Sequence, residues 1–382
     1  MRQPSPIAGV RKVAFLAHSA RSLLRFRGNL MREIARRRHR VLALVPDLDA
    51  ATKATLAAHD IAAEAFPLEP PGAGPFAERR TERAIGEHVR AFAPHVLVAS
   101  GPRTAVLGTT IAKSAGVPRV VLLVNGLSAL GYGGVETRGW LRESSARRQR
   151  RAAVAAATLV VFHNGDDPRQ LIADDVMPAD KPHIVTNGSG VDLSHYAATP
   201  LPSLAAGLVF LMLARLDPAQ GVPTFIEAAS LVKAKASGAR FQIAGGDSAH
   251  VSGQSLPSLQ RYRDTIESLG FATDVRPLVA AAHVVVHTSA SEGLPGALLE
   301  ALAMGRPVIA SDVPGSRVTV DERVNGVLVP PNDATALAAA METFLKRPDL
   351  IPAMSRAARA KAERHFDERT VIAQMLTALD LG

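Results

Sequence analysis

Short apolar runs alternate with helical patterns along this 382-residue sequence, and this alternation limits the possible folds more than any other feature. Helical patterns such as Leu23–Arg38 and Thr104–Ala115 separate most of the candidate strands. Strands that alternate with helices form parallel sheets with right-handed crossovers. The first half is therefore predicted to be an α/β domain with strands at Val13–Ala17, Val41–Val45, Ile61–Phe66, Val96–Ala99, Val120–Val124, Leu159–Phe162 and His183–Thr186.

The periodicity stops near Ser194–Gly207, where Pro, Ser and Ala dominate, and this composition predicts a linker at 196–207. We therefore predict an N-terminal domain at 1–195, a C-terminal domain at 208–365, and a last helix within 366–382 that packs back toward the first domain. Parallel sheets bind ligands beyond the carboxyl ends of their strands. Two Rossmann-like sheets that face each other predict a cleft. In the second domain strands are expected at Leu208–Ala214, Arg240–Ala244, His283–His287, Pro307–Ala310 and Gly326–Val329.

The net charge of +9 is unevenly distributed, because residues 1–200 hold 27 Lys and Arg against 17 Asp and Glu. Such a basic half favours an anionic partner, either a membrane surface, nucleic acid or a phosphorylated substrate. An exposed Arg-rich helix face without a partner would look the same. Nucleic acid is disfavoured, because only 4% of residues are aromatic and no recognition module is visible. Most of the excess lies in two clusters: Arg21, Arg25, Arg27, Arg32, Arg36, Arg37, Arg38 and Arg40; and Arg138, Arg142, Arg147, Arg148, Arg150 and Arg151.

The sequence contains no cysteine and no apolar run of the ~18 residues that a membrane span needs. The absence of cysteine excludes disulfides and thiolate chemistry and fits a reducing compartment. The first apolar run is short and is interpreted as a strand rather than as a signal peptide. We therefore expect a cytoplasmic protein.

Two glutamates, Glu292 and Glu300, occupy the segment that follows the strand at His283–His287. A Gly/Pro turn holds the first, and the helix that the turn opens holds the second. A helix N-terminus favours phosphate, because its free N–H groups and its dipole attract negative charge. A carboxylate beside such a site can accept hydrogen bonds from sugar hydroxyls. The segment suggests a nucleotide-sugar pocket, although acidic residues near a helix start are common for purely structural reasons.

Two further features of the second half fit a diphosphate ligand. Arg215 follows the strand at Leu208–Ala214, and a guanidinium can clamp a diphosphate through paired hydrogen bonds. A structural ion pair with Asp217 is an equal alternative. Gly245 and Gly246 follow the next strand, where glycines allow the backbone to approach a ligand closely.

Together these motifs closely resemble the family-4 retaining glycosyltransferases of GT-B fold, and the resemblance covers nearly the whole chain. It rests on Arg215 with Gly221, on Gly245-Gly246, on the two glutamates and on Asn325-Gly326. In the first half Asn125-Gly126-Leu127, His163-Asn164-Gly165 and Asn187-Gly188-Ser189-Gly190 resemble the subgroup that builds bacterial polysaccharides and lipid-linked oligosaccharides.

The resemblance implies a role for each matching position. Glu300 would hold the ribose hydroxyls and Glu292 the transferred sugar. Arg215 would stabilise the leaving phosphate, so that Arg215 and Glu292 are the candidate catalytic residues. The base would lie near the turn at 270–275, and the acceptor would bind the first domain near His18, Asn125 and Gly126. The other donor-site positions are Gln220, Gly245, Gly246, Val275, Gly293, Leu294 and Gly296.

Gln220 is the main departure, because the family usually carries a lysine there that assists the leaving diphosphate. A neutral amide removes one positive charge from that clamp. Two alternatives therefore stay open: a catalytically degenerate GT-B binding subunit, and a nucleotide-sugar 2-epimerase of the same fold.

The resemblance also implies transfer with retention from a nucleotide-sugar, with UDP as the expected base, to a lipid-linked or saccharide acceptor. We expect no metal and no other cofactor, and we interpret the acidic pair Asp47 and Asp49 as helix caps rather than as metal ligands. Trp140 among the arginines of the second cluster suggests peripheral attachment to an anionic inner leaflet. A core aromatic is the alternative interpretation of Trp140.

Overall fold

A computed structural model describes residues 9–69, 74–131, 140–235, 238–246 and 259–382 of the chain. The chain divides into two compact units, which consist of Met1–Ser189 with Arg369–Gly382, and of Gly190–Glu368. The segment 196–207, for which we predicted a linker, therefore lies inside the second unit. Residues 369–382 belong to the first unit, and the chain passes between the units at Ser189–Gly190 and at Glu368–Arg369.

The first unit contains a seven-stranded parallel sheet in the order β3-β2-β1-β4-β5-β6-β7. Its strands are β1 Lys12–Leu16, β2 Arg40–Val45, β3 Ile61–Ala65, β4 Val96–Ser100, β5 Arg119–Val124, β6 Leu159–Phe162 and β7 His183–Val185. Its helices are α1 Ala20–Arg36, α2 Ala50–Ala57, α3 Pro75–Phe92, α4 Thr104–Ser114, α5 Trp140–Ala156, α6 Asp166–Ala173 and the C-terminal α13, Glu368–Ala378, nearly all of which lies in this unit.

The second unit contains a six-stranded parallel sheet in the order β10-β9-β8-β11-β12-β13. Its strands are β8 Val209–Leu213, β9 Arg240–Ala244, β10 Ile266–Gly270, β11 Val284–His287, β12 Val308–Ser311 and β13 Gly326–Val329. Its helices are α7 Val222–Lys233, α8 Arg276–Ala281, α9 Gly296–Ala303, α10 Pro314–Thr319, α11 Ala334–Lys346 and α12 Ile351–His365.

Each sheet is covered on both faces, because successive residues of a strand point to opposite sides. In β11, Val284 and Val286 pack in the core that α7 and α11 cover, whereas Val285 packs in the core that α9 and α12 cover. The strands are consequently apolar on both sides, which explains why they are recognisable in the sequence as continuous apolar runs. The predicted pair of Rossmann-like α/β sheets is confirmed.

Strand β10, Ile266–Gly270, lies at the edge of the second sheet and was not predicted from the sequence. Its sequence is Ile-Glu-Ser-Leu-Gly, and only Ile266 is fully buried. An edge strand pairs on one side only and does not need two apolar faces. Its periodicity is therefore too weak to distinguish it from a loop.

Within the described ranges, none of the helices combines the length and the apolar character that crossing a membrane requires.

Candidate functional site

The candidate site of the second unit lies where the direction of the sheet connections reverses. From β8 the chain proceeds through α7 to β9 on one side, and from β11 it proceeds through α9 to β12 on the other side. The neighbouring strands β8 and β11 therefore form the topological switch point, at which open α/β sheets bind ligands. Arg215 follows β8 and Glu292 follows β11, so that both lie on loops that leave this point.

Gln220 and Glu292 are in direct contact, although they lie 72 positions apart in the sequence. The Gln220 side-chain amide donates a hydrogen bond to one carboxylate oxygen of Glu292, with a nitrogen–oxygen distance of 3.2 Å. Both side chains are half-buried. The neutral residue at the position of the expected lysine therefore contacts the carboxylate that is predicted to hold the donor sugar.

Two buried hydroxyl groups hold the Gln220 turn against the β11–α9 loop. Thr288 donates from its hydroxyl to the carbonyl oxygens of Gln220 and Gly221, at 3.1 and 2.9 Å. Ser289 donates to the carbonyl oxygen of Ala219 at 3.4 Å. Gly221 adopts a left-handed backbone with φ of +74°, and a Cβ there would clash with the carbonyl oxygen of Thr288. The close approach of these two loops therefore requires glycine at position 221. Thr288 and Ser289 were not predicted from the sequence, because no local pattern indicates which backbone their hydroxyl groups contact.

Arg215 is exposed at the carboxyl end of β8, and among the described residues its guanidinium has neither an ion pair nor a hydrogen bond. The alternative partner, Asp217, is buried, and its carboxylate accepts from the backbone N–H of Ala219 at 2.9 Å. Asp217 thus caps the short 3₁₀ turn Pro218–Gln220. The structural ion pair between Arg215 and Asp217 is not formed.

Gly245 and Gly246 bring the end of β9 against the end of β8. Leu216 donates from its backbone to the carbonyl oxygen of Gly246 at 3.0 Å, and a Cβ on Gly245 would clash with the carbonyl oxygen of Ala214. Phe271 lies beside Gly246, and its side chain is 56% exposed. Such an exposed aromatic face at the turn where we predicted the base was not anticipated from the sequence.

Val275 begins α8 from its N-cap position and is half-buried. It lies in the turn after the edge strand β10, within the range 270–275 near which we predicted the base of the nucleotide.

Helix α9 begins at Gly296 with Pro295 as its N-cap residue, and Leu294 is half-buried just before it. Glu300 lies within this helix and is only 6% exposed. A carboxylate at such a depth is unusual unless it is hydrogen-bonded. The Glu292–Gly293 peptide packs on Gly315 of α10, where an added Cβ would lie 2.7 and 2.6 Å from the two carbonyl oxygens.

His287 is the last residue of β11, just before the loop that carries Glu292, and it is buried. In the described part of the chain neither of its ring nitrogens has a hydrogen-bond partner. Burial lowers the pKa of His287, and the nearby charge of Glu292 opposes part of that shift. The imidazole is therefore neutral at physiological pH.

The predicted acceptor residues lie at the carboxyl end of the first sheet. His18 follows β1 and packs against Gly101, which follows the neighbouring strand β4. Asn125 follows β5 and is half-buried, and Gly126 begins the 3₁₀ turn Leu127–Leu130. Strands β1 and β4 form the switch point of this sheet, so that His18 and Gly101 lie at its ligand-binding edge.

The two basic clusters are less uniform than their sequence indicates. Arg150 is buried and forms an ion pair with Glu143 at 2.5 Å, while Arg147 and Arg151 contact Asp175 at 3.5 and 2.6 Å. These three arginines are therefore partly or wholly neutralised by local carboxylates. Arg138 lies outside the described residues, as do the side chains of Trp140 and Arg142.

In the first cluster, Arg36 and Arg37 share the carboxylate of Glu33, and Arg27 is buried. The remaining arginines of that cluster are exposed, namely Arg21, Arg25, Arg32, Arg38 and Arg40.

The acidic pair Asp47 and Asp49 has a structural role. Asp49 caps α2 by accepting from the backbone of Thr52, and Asp47 accepts from the backbone N–H of Ala20 at the start of α1. Within the described ranges no three His, Asp or Glu side chains form a group that could bind a metal ion.

Two Rossmann-like units, each with its candidate residues at the switch point of a parallel sheet, define the GT-B class. Residues 25–188 match the model of the glycosyl transferase 4-like domain, and residues 207–347 match that of the glycosyl transferases group 1. The chain belongs to the family-4 glycosyltransferases.

Relatives and solved structures agree with this assignment. WcaL of Escherichia coli K12, whose name assigns it to colanic acid biosynthesis, is 30% identical over 53% of this chain and 53% of its own length. The amylovoran biosynthesis glycosyltransferase AmsK of Erwinia amylovora is 26% identical over 53% of this chain and 51% of its own. The chain thus spans about half the length of these relatives. The crystal structure of Anabaena HepE with UDP-glucose superposes with a TM-score of 0.74 at 21% identity, over 97% of this chain and 100% of that one.

Proposed function

We propose that this protein is a glycosyltransferase that transfers a hexose or an N-acetylhexosamine from a UDP-sugar to a saccharide acceptor in bacterial surface polysaccharide synthesis. The observation that carries this proposal is the convergence at the β8–β11 switch point. There the exposed guanidinium of Arg215, the carboxylate of Glu292 and the start of α9 follow adjacent strands. WcaL and AmsK, whose names assign them to colanic acid and amylovoran biosynthesis, support the polysaccharide assignment.

UDP is the proposed nucleotide because structures of the same fold contain UDP and UDP-glucose. In our proposal the carboxylate of Glu300 accepts hydrogen bonds from the ribose hydroxyls. Phe271 offers an exposed ring to the base beside Gly246 and Val275. The backbone amides of Leu294 and Gly296 face the diphosphate, for which a helix start is well suited.

The proposed chemistry is a front-face displacement with retention. The acceptor hydroxyl oxygen bonds to the anomeric carbon on the face from which the phosphate oxygen departs. The hydroxyl proton passes to that phosphate oxygen, and the products are a glycoside and a nucleoside diphosphate. Arg215 and the amides at the start of α9 stabilise the developing negative charge, so that the transfer is proposed to need no metal.

Glu292 is proposed to accept hydrogen bonds from the hydroxyls of the transferred sugar with the carboxylate oxygen that Gln220 does not occupy. The contact with Gln220 fixes the rotation of the carboxylate. A fixed carboxylate contributes orientation, because little conformational freedom is then lost when the donor binds. The two residues act as a unit in this proposal.

The acceptor is proposed to bind the first unit near His18, Asn125 and Gly126, and to be lipid-linked at an anionic inner leaflet. The exposed arginines of α1 and of the turn after it support this location. Sedimentation with anionic liposomes at low and high salt tests the attachment. A protein that stays in the supernatant at low salt would rule it out.

Thermal stabilisation by a panel of nucleotide-sugars, followed by product analysis with a lipid-linked acceptor, tests the donor site. We expect UDP-sugars to stabilise the protein most. Glu300→Gln should weaken binding of both UDP and UDP-sugar by roughly tenfold, since hydrogen bonds to a carboxylate are lost. Glu292→Gln should leave UDP binding intact and reduce turnover. The exposed helix residue Glu227 provides the matched control, and Glu227→Gln should change neither.

The same assay distinguishes the two alternatives. Stabilisation by a UDP-sugar without any product would favour a binding subunit. Conversion of the UDP-sugar without acceptor would favour a 2-epimerase. No stabilisation by any nucleotide-sugar would refute the proposed donor site.

A further inference from the structure

Arg27 is a buried cation at the carboxyl end of the first sheet, where the proposed function does not use it. Its side chain is 6% exposed, and among the described residues no carboxylate pairs with it. A buried charge without a counter-ion is costly unless it is extensively hydrogen-bonded. Burial lowers the pKa of Arg27 to about 10, so that the guanidinium stays charged at neutral pH.

The alternation of the strands explains which groups meet this arginine. Leu123 of β5 and Val161 of β6 pack in the core that α1 covers. Two positions further along each strand, the same face presents Asn125 and His163. Arg27 on α1 therefore meets two polar side chains at the end of an otherwise apolar face.

The guanidinium hydrogen-bonds to neutral acceptors. One terminal nitrogen donates to the carbonyl oxygen of Phe26 at 2.9 Å and to the hydroxyl of Ser189 at 2.6 Å. The other donates to the side-chain oxygen of Asn125 at 3.4 Å and lies 3.0 Å from Nε2 of His163. We call Arg27, Asn125, His163 and Ser189 the Arg27 cluster.

These contacts determine the orientation of the neighbours, because a guanidinium carries only donors. Asn125 turns its oxygen toward Arg27, which directs its amide N–H groups away. Ser189 accepts from Arg27, which leaves its own O–H available to donate elsewhere. His163 must present an unprotonated Nε2, and its proton is therefore on Nδ1.

Burial, followed by the charge of Arg27, lowers the pKa of His163 well below its ordinary value. The cluster thus combines one fixed positive charge with neutral groups, of which Asn125 and Ser189 keep donors that the contact with Arg27 does not use. Asn125 and Ser189 are only half-buried, so that their donors can reach a ligand. Hydrogen-bond donors in front of an uncompensated cation form a binding site for an oxyanion.

We propose that the Arg27 cluster binds the phosphate or diphosphate group of an anionic acceptor. Asn125 and Ser189 donate to its oxygens, and Arg27 supplies the charge behind them. This inference rests on the proposed function in one respect, namely that the first unit binds the acceptor. It adds that the acceptor is anionic and assigns the group that recognises the charge.

The test is calorimetric titration of the full chain with inorganic pyrophosphate while UDP saturates the donor site. The variants are Arg27→Gln, Arg27→Lys and, as matched control, Arg25→Gln, which removes one charge from an exposed position of the same helix. Arg27→Gln should weaken pyrophosphate binding at least about tenfold, whereas Arg27→Lys should recover part of the affinity. Arg25→Gln should stay within about twofold, because salt screens exposed charges.

Hydrogen exchange of β5 and β6 in each variant shows whether the first unit is still folded. If Arg27→Gln is folded and binds pyrophosphate as the wild type does, the proposal is wrong. It is equally wrong if the wild type does not bind pyrophosphate in the presence of UDP. Should Arg27→Gln unfold the first unit, Ser189→Ala replaces it. The expected loss is then severalfold, and an unchanged affinity refutes the site.

Two further ligands distinguish the sources of the oxyanion. Farnesyl diphosphate binding at least about tenfold more tightly than glucose 1-phosphate would indicate a lipid-linked acceptor, and the reverse order a free sugar phosphate. Loss of either affinity in Arg27→Gln supports the site. UDP binding is measured in the same samples, so that failure of the donor proposal is seen independently of the Arg27 cluster.

Discussion

Replacing Gly221 by alanine should destabilise the second unit and disturb the donor site together. Gly221 has φ of +74°, and its Cα lies against the backbone of Thr288. A Cβ at this position would overlap the Thr288 carbonyl oxygen and lie 2.6 Å from its hydroxyl oxygen. The overlap involves main chain, so that no side-chain rotation relieves it.

The magnitude follows from three contributions. The left-handed conformation costs a non-glycine residue about 1–2 kcal/mol, and forcing packed backbone apart costs about 1–3 kcal/mol. Loss of a hydrogen bond from Thr288 adds about 1 kcal/mol. The reduced entropy of the unfolded alanine chain returns about 0.4–1 kcal/mol. The net destabilisation is therefore roughly 2–6 kcal/mol.

Two other glycines of the same unit provide matched controls. Gly270 has φ of +68° with nothing within 4 Å of the position that an added Cβ would take, and Gly270→Ala therefore measures backbone strain without a clash. Gly238 has no such neighbours and lies outside the left-handed region, so Gly238→Ala should be neutral or slightly stabilising. From the most to the least stable variant, the expected order is Gly238→Ala, Gly270→Ala and Gly221→Ala.

Urea unfolding, with hydrogen exchange of β8 and β11 as the probe of the second unit, measures this order. UDP-sugar affinity should fall in Gly221→Ala, because the turn carries Gln220 against Glu292. If Gly221→Ala were no less stable than Gly270→Ala, the close approach to Thr288 would not matter. That result would refute the predicted clash between an alanine Cβ at position 221 and the Thr288 backbone.

Three further predictions concern other parts of the chain. Gln220→Lys should raise kcat by about tenfold or more in the transferase assay, since the ammonium can pair with Glu292 and still donate to the diphosphate. An unchanged kcat would contradict a role of position 220 in leaving-group stabilisation. Arg306 is fully buried and donates to carbonyl oxygens that include those of Thr199 and Val279. Arg306→Ala should therefore lower the free energy of unfolding, measured in urea, by about 3–5 kcal/mol. Arg323 is exposed, and Arg323→Ala should change this free energy little. Burial raises the pKa of Asp167 from 3.8 to about 6, so its folded form holds a proton that the unfolded form has lost between these values. Stability should therefore fall by up to about 3 kcal/mol as pH rises from 4 to 6, and Asp167→Asn should abolish that part of the pH dependence.

The sequence predicted the sheets well because their strands are buried on both faces. Leu159–Phe162, Arg240–Ala244 and Gly326–Val329 were predicted with the bounds that the structure has, and each of the other predicted strands is within one residue at either end. The same physics explains the failure at Ile266–Gly270, whose position at a sheet edge needs no continuous apolar run.

The candidate site was predictable residue by residue, but its contacts were not. Arg215 and Glu292 were identified from local motifs at the ends of apolar runs. That Gln220 would contact Glu292 depends on β8 lying beside β11, and strand order is not written in local periodicity. For the same reason Arg27 was counted as one member of an exposed basic cluster, whereas the structure buries it among Asn125, His163 and Ser189.

By itself, the sequence determined the class of fold, the positions of most strands and the family resemblance. Each of these depends on short-range patterns: alternating burial, helix starts, and glycines at turns. Only the tertiary structure decided which charges are exposed, which are neutralised and which have no carboxylate partner in the described part of the chain. Three arginines of similar sequence context differ in this way. Arg215 is exposed, Arg150 forms an ion pair with Glu143, and Arg27 is a buried cation. The physical reason is that the free energy of a charge depends on its burial and its partners, and chain topology determines both.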